Sequence, residues 1–592
     1  MLLRQNIMKS AWKLCGVGLL SSAATLASAN ADQRLETLMA KYWDGYLNQN
    51  PLQANLNGDM RHSDKLGRVD DRGRADAQQL LDVSLQQLKT INVDQLSAQQ
   101  KVNYQLFDWM LRHERRTMDF NWHYYTFTTY AGWHDGFARS APRVRIKNEQ
   151  DAKNYIQRLA AFEKFADDNM ALMREGIRSA NTQPCETLLG YEEGIRGYIK
   201  PVEESDFYGP LKNLPSTMDA QTQTKLQADA KTVIAKHVLP KYQAYLDFYL
   251  EDYLPACRKI VGISSVEDGA ALYDHFVKYY TTVDTDAEAV HKIGLSEVKR
   301  IREEMKAIMA EVEFDGDFKA FLDFLRTDPQ FYPKTEKGYM AAAAAIAKDM
   351  DGKLPEFFSY LPRNPYGIEK VPDQIAPKVT PAYYQRGAAD GTRAGKYFLN
   401  TYDLKSRALY ELPALTLHEA VPGHHLQISI QNELQDLPEF RRFYYFHPFG
   451  EGWALYAEYL GEEMGMYNTP YERFGRLTYE MWRALRLVVD TGMHAKGWTR
   501  QQAIDFMVNN SALSLHNITT EVDRYITWPG QALAYKMGEL KIRELRQFAE
   551  KELAEAFDLR EFHTKVLTNG AVPLSVLEQL IKEWVAEQKK VS

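Results

Sequence analysis

His418-Glu419-Ala420-Val421-Pro422-Gly423-His424-His425-Leu426-Gln427 sets a carboxylate beside one imidazole, with two more imidazoles six and seven positions on. Neutral histidine nitrogens bind zinc, and a neighbouring glutamate handles the proton of a water, so these residue types together point to a metal-dependent hydrolase. The spacing departs from H-E-x-x-H, where the histidines stand one helical turn apart on a single face. Here Pro422 occupies the i+4 position. On a straight helix His424 would lie about 120° off the face of His418, and His425 would share that face about 10 Å along the axis. Neither meets His418 on one ion at about 2.1 Å. The helix must therefore be interrupted. Pro422 lacks the N–H for the preceding turn, and Gly423 accepts unusual backbone angles. A two-residue bulge would bring His424 to where i+4 normally falls.

Here the chain resembles the domain of unknown function 885 family, through its H-E-x-x-P-G-H-x-x-Q signature. The resemblance extends over Tyr397 to Tyr402, Gly450 to Glu458, Asp490 to Thr499 and Arg524 to Gly538. It implies a zincin-like, largely helical fold and a bound metal, and says little about substrate. The Gly-His register matches at His424, which makes His424 the expected ligand and leaves His425 facing the core or a carboxylate. Glu451 and Glu458 in Gly450-Glu451-Gly452-Trp453-Ala454-Leu455-Tyr456-Ala457-Glu458 are similar to the ligand helix of thimet-oligopeptidase-like gluzincins. That likeness implies Glu451 as third ligand and Glu458 as the carboxylate orienting a ligand histidine; both are otherwise ordinary helix charges. Gln427 falls at another supporting position.

Related helical zincins place a histidine and one or two tyrosines further on as donors to the oxyanion. His494 and Tyr535 match that order. Arg524 is a candidate for a substrate carboxylate. The competing readings are concrete: His494 caps a helix before Gly497, Tyr535 is core, and Arg524 pairs with Glu521 or Asp523.

The N-terminus reads as a signal segment over 1–31. Arg4, Lys9 and Lys13 precede the apolar stretch 14–26, and Ala27-Ser28-Ala29 and Ala29-Asn30-Ala31 both fit cleavage. Trp12-Lys13-Leu14 is a poor lipobox for Cys15. Cleavage leaves a chain more acidic than the full sequence at −7, which argues against nucleic-acid binding. No second apolar run is long enough to span a membrane. The expected location is periplasmic or secreted. Cys185 and Cys257 are left as either a bridge or two thiols.

The expected fold is mainly α, two helical lobes around a cleft, over 32–360 and 361–592, built as one integrated unit. Tyr155, Leu159, Phe162, Ala166, Met170, Met173 and Ile177 step by three and four, as on an amphipathic helix, and 222–250, 285–311 and 338–350 look similar. The stretch 361–395 reads as an irregular connection. Residues 396–402 are the strand candidate, with Tyr397 and Asn400 expected to meet an extended substrate backbone. The whole predicts an exported zinc metallopeptidase acting on short peptides, carboxypeptidase-like. Zinc sits on His418, His424 and Glu451, with Glu419 as base and Tyr535 or His494 at the oxyanion. An esterase or amidase, or an inactive peptide-binding protein, are the alternatives.

Overall fold

The structure, a computed structural model, describes residues 30–591 apart from Tyr130, Gln374, Ala389, Asp390 and Thr392. The expected signal segment lies outside the described residues except for its last two positions. The fold is mainly helical, with one small three-stranded sheet.

Several of the long helices start where the sequence supplies a side-chain cap. The Asn148 side chain accepts from the Asp151 N–H and opens α1 (Glu149–Arg178). Asp286 does the same for α2 (Ala287–Glu311), and Thr335 for α3 (Glu336–Phe357). The stepped positions of α1 from Tyr155 to Met173 are buried, as the spacing requires. Segment 222–250 is helical throughout but widens into π turns at Ile234–Val238 and Tyr249–Tyr253. Phe162 stacks on Phe137, and Tyr242, Tyr245, Tyr249 and Tyr253 are fully buried, so much of the aromatic content is core.

The chain forms two compact units. The smaller holds the described residues up to His62, Gly67–Asp119 and Asp436–Phe443; within it, Arg441 donates to Asn103 at 2.7 Å. The larger holds the described residues of Ser63–Leu66, Phe120–Gln435 and Tyr444–Ser592. It runs across position 360, because α3 packs on the first strand and on the helix that carries His418.

Three strands make the sheet: β1 (Tyr366–Lys370), β2 (Ala382–Gln385) and β3 (Gly395–Leu399). Their order is β1-β3-β2, with β1 parallel and β2 antiparallel to β3. Two strands thus lie in the stretch read as irregular. Only β3 alternates cleanly between buried and half-buried positions. β3 is also the central strand, with Tyr366 opposite Gly395 and Tyr384 opposite Tyr397. Neither of its edges is open to a substrate, which corrects the expected role of 396–402; β2 is an edge strand. Cys185 and Cys257 form a disulfide in the larger unit.

Candidate metal centre

Six helices of the larger unit carry the site: α4 (Leu412–Glu419), α5 (His424–Glu433), α6 (His447–Glu463), α7 (Pro470–Ala495), α8 (Leu515–Thr527) and α9 (Ala534–Leu553). The interruption within 418–424 is a complete break between α4 and α5 rather than a bulge in one helix. Ala420 leaves helical geometry at φ −96°, ψ −112°, the Val421–Pro422 bond is cis, and a new helix starts at His424. Gly423 is needed for space: a Cβ there would stand 2.0 Å from the His418 carbonyl oxygen. The Trp453 indole donates to the Pro422 carbonyl at 2.7 Å and holds the break against α6. Gly452 and Gly538 let α6 and α9 approach closely, since a Cβ on Gly452 would meet Gly538 backbone at 2.5 Å.

This turn brings His418, His424 and Glu451 together, with one donor atom of each within 4.8 Å of the others. Glu451 Oε2 lies 3.4 Å from His424 Nε2 and 3.8 Å from His418 Nε2. A tetrahedral zinc with bonds near 2.0–2.1 Å sets its ligand atoms about 3.3–3.4 Å apart, so small shifts close this set on an ion. The donor types, two imidazoles and a carboxylate, suit zinc. His418 Nδ1 meets Glu458 Oε1 at 2.7 Å, which frees Nε2 for a metal. Burial holds His418 well below its usual pKa, and His424, Arg483 and Arg486 add to this, so the ring is neutral as ligation demands. Burial acts in the same sense on His424, but the adjacent Glu451 carboxylate outweighs it and raises that ring.

Glu419 is buried beside the cluster, and its Oε2 has no hydrogen-bond partner among the described residues. Burial pushes its carboxyl up to about 7, helped by Glu451 and opposed by His424, Arg483 and the Tyr384 backbone N–H. A carboxyl tuned near neutrality with a free oxygen is fitted to move a proton.

The cluster opens on a cavity of about 350 Å³. Its wall includes Glu419, Tyr445, His447, Arg483, Arg486, Arg524 and Tyr535, the apolar Leu415, Ile428, Trp482 and Trp528, and β2 from Ala382 to Tyr384. Tyr445 donates to Glu451 Oε1 at 3.1 Å. The Arg524 Nη1 donates to Glu521 at 3.2 Å, and its Nη2 donates to Gln531 Oε1 and to Tyr535 Oη, the latter at 3.3 Å. A guanidinium only donates, so the Gln531 atom facing it is the oxygen. The Gln531 NH₂ then faces His447 Nδ1 at 3.4 Å, and the His447 proton sits on Nε2. Burial holds His447 down to about 4, so it is a neutral donor.

Several expected site residues are elsewhere. His494 is fully buried; its Nδ1 accepts from the Ile263 N–H and its Nε2 donates to the Tyr525 carbonyl, both at 3.0 Å, so neither nitrogen is available for chemistry. Tyr397 is fully buried against Thr416. The Asn400 amide donates to the carbonyls of Ala376, Val379 and Thr380 and shapes the approach to β2. Gln427 donates to Gln431 and does not reach the cluster. His425 turns towards the sheet, with its Nδ1 3.0 Å from the Tyr384 hydroxyl. Arg524 does line the cavity, but its terminal nitrogens are engaged as described. His447, Tyr445, Arg483 and Arg486 were not foreseen. The spacing of His447 and Glu451, one turn apart on one helix, was the available signal.

A family model described as bacterial protein of unknown function (DUF885) matches residues 51–581. No curated protein matches the sequence. A crystal structure of a candidate lipoprotein from Colwellia psychrerythraea is similar with a TM-score of 0.87 and 28% identity, covering 94% of this chain and 99% of that one. A candidate lipoprotein of unknown function from Shewanella oneidensis shares the fold with a TM-score of 0.71 and 17% identity, covering 93% and 99%. With its family model spanning residues 51–581, the chain belongs to the DUF885 family of bacterial proteins.

Proposed function

We propose that this protein is an exported zinc-dependent metallopeptidase of the gluzincin type that hydrolyses short peptides. The observation that carries the reading is the convergence of His418, His424 and Glu451 beside the unpartnered Glu419 carboxyl. A zinc ion held by those three residues supplies Lewis-acid chemistry towards a peptide carbonyl and a water. Glu419 takes the proton of the attacking water on Oε2 and passes it to the leaving amine. Tyr535, whose oxygen already accepts from Arg524, directs its own proton into the cavity, and His447 offers its Nε2–H; both are donors for the oxyanion. The outer edge of β2, lining the cavity, pairs with an extended peptide backbone. The disulfide agrees with an oxidising, extracytoplasmic setting. So do the structural relatives described as lipoproteins. Among the described residues no helix is long and apolar enough to cross a membrane.

The test is zinc analysis and digestion of a short-peptide mixture by the purified protein. Cleavage should vanish with a chelator and return with zinc. Glu419→Gln should keep zinc while hydrolysis falls by about 10²–10⁴. Stoichiometric zinc without turnover of any peptide would reject the peptidase reading.

A further inference from the structure

Arg486 on α7 is 2% exposed and lines the cavity. Its Nε donates to the Tyr525 hydroxyl at 2.8 Å and its Nη2 to Glu521 Oε2 at 3.0 Å. The guanidinium stacks over the Tyr535 ring at 4.0 Å and the Trp482 ring at 4.6 Å. Its Nη1 is shut off from solvent and has no hydrogen-bond partner among the described residues. Charged donors are rarely buried without one, because the lost hydration is not replaced.

The charges point the same way. Arg486 and Arg524 share a single hydrogen-bonded carboxylate, Glu521. Arg483, one turn earlier on α7, has its own in Glu458, 3.2 Å away. The Arg486–Arg524 pair therefore keeps one positive charge in excess of its hydrogen-bonded carboxylate, against the Trp482 and Tyr535 rings. Its complement is a monoanion; a dianion would overshoot. A carboxylate also matches the fork geometry of a guanidinium.

Position narrows the ligand further. Arg483 stands 3.5 Å from His418 Nδ1, next to the metal cluster. Side chains three apart on a helix are about 5–6 Å from one another at Cβ. An extended peptide advances about 3.3–3.4 Å per residue. Arg486 lines the same cavity as His418, His424 and Glu451, so an anion held there lies within a few peptide residues of the cluster. Trp482, Trp528 and Leu415 offer an apolar wall for the side chain that accompanies it.

We infer that Arg486 binds the free C-terminal carboxylate of a peptide, so that a short fragment is released from the C-terminus. The identity of the ligand as a peptide rests on the peptidase reading; the anion site itself does not. This moves the carboxylate role from Arg524, whose part is to hold Gln531 and Tyr535.

The experiment uses chelator-treated, metal-free protein, in which no ion can bind the carboxylate. Calorimetry compares acetyl-Ala-Ala-Leu with a free and with an amidated C-terminus. The free acid should bind about 10- to 150-fold more tightly, the range of a charge-assisted contact. Arg486→Gln should bring that ratio close to one. Should Arg486→Gln fail to fold, as its thermal melt will show, Arg486→Lys is read instead: it keeps the charge without the fork, and the ratio should still fall. Equal binding of acid and amide by the wild type overturns the inference, as does a ratio unchanged in the folded variant. Hexanoate binding as tightly as the tripeptide acid overturns the peptide assignment. Hydrolysis by the zinc-loaded protein separates the two readings. A binding preference without cleavage of either tripeptide rejects the peptidase alone; equal cleavage without a preference rejects the subsite alone.

Discussion

His418 Nδ1 and Glu458 Oε1 stand 2.7 Å apart, both on side chains almost wholly withdrawn from solvent. The two residues belong to helices that the break at Val421–Gly423 and the Trp453–Pro422 bond lock together. The contact fixes which nitrogen of His418 carries the proton and aims the other at Glu451. Loss of such a support typically weakens metal binding by about 10–100-fold. Glu458→Ala should therefore lower zinc affinity by that factor, measured by competition with a chromogenic chelator. An affinity equal to wild type would remove Glu458 from the metal site.

The adjacent histidines separate cleanly by environment. His424 Nε2 points at Glu451, whereas His425 Nδ1 lies 3.0 Å from the Tyr384 hydroxyl and 3.2 Å from Ser429. His418→Ala and His424→Ala should each abolish stoichiometric zinc in the purified protein. His425→Ala should retain it and lose stability through the gap left between α5 and the sheet. Zinc lost from His425→Ala and kept by His424→Ala would reverse the assignment.

The approach of His418 and His424 was legible in the sequence because its determinants are local: Pro422 and Gly423 forbid a continuous helix, and the two histidines lie within one short stretch; Glu451, 27 positions after His424, was reached only through the resemblance of its helix to a gluzincin ligand helix. The long helices were legible too, since Tyr155 to Met173 repeat at helical spacing. What was not legible depends on tertiary neighbours. β3 was found through its alternation, but its central place depends on β1 and β2, which are short, half-buried and separated by Pro372, Pro377 and Pro381. His447 carries one sequence signal, its place a turn before Glu451, whereas nothing in the sequence marks His494 as a backbone-bound core residue. His494 meets the backbone of Ile263 and Tyr525, and His447 faces the cavity. Arg486 likewise has no mark of its own until Glu521 and Arg524 are folded beside it.

His447 and His494 therefore make a paired prediction. His447→Gln should leave zinc bound and the melting temperature little changed, while hydrolysis falls by about 10²–10³, as for the loss of one oxyanion donor. His494→Ala should leave a buried N–H and a buried carbonyl unpaired, at about 1–3 kcal/mol each, and so lower thermal stability. The turnover of what remains folded should be near wild type. Steady-state kinetics at matched zinc content, together with calorimetric melts, check both. The reverse pattern would return the catalytic role to His494.

The pH dependence of stability should carry the signature of Asp490. This residue is fully buried on α7, with the Tyr273 hydroxyl donating at 2.6 Å and the Gly530 N–H at 3.2 Å. Burial pushes its carboxyl up to about 7, although Tyr273, Gly530 and Arg524 act against it. In the unfolded chain an aspartate titrates near 3.9. Below that pH the group is protonated in both states, and its contribution to stability is fully present. As pH rises, the unfolded chain releases the proton first, and the contribution is lost progressively until the folded group ionises near pH 7. A gap of about three units corresponds to something on the order of 4 kcal/mol across that window. Asp490→Asn keeps an oxygen to accept from Tyr273 and Gly530 but does not titrate. The variant should therefore gain on the wild type between about pH 4 and pH 7 and hold a constant lead above it. Urea unfolding at several pH values, with chelator present so that metal linkage is absent, gives the difference directly. A difference independent of pH would show that Asp490 ionises alike in the folded and unfolded chain.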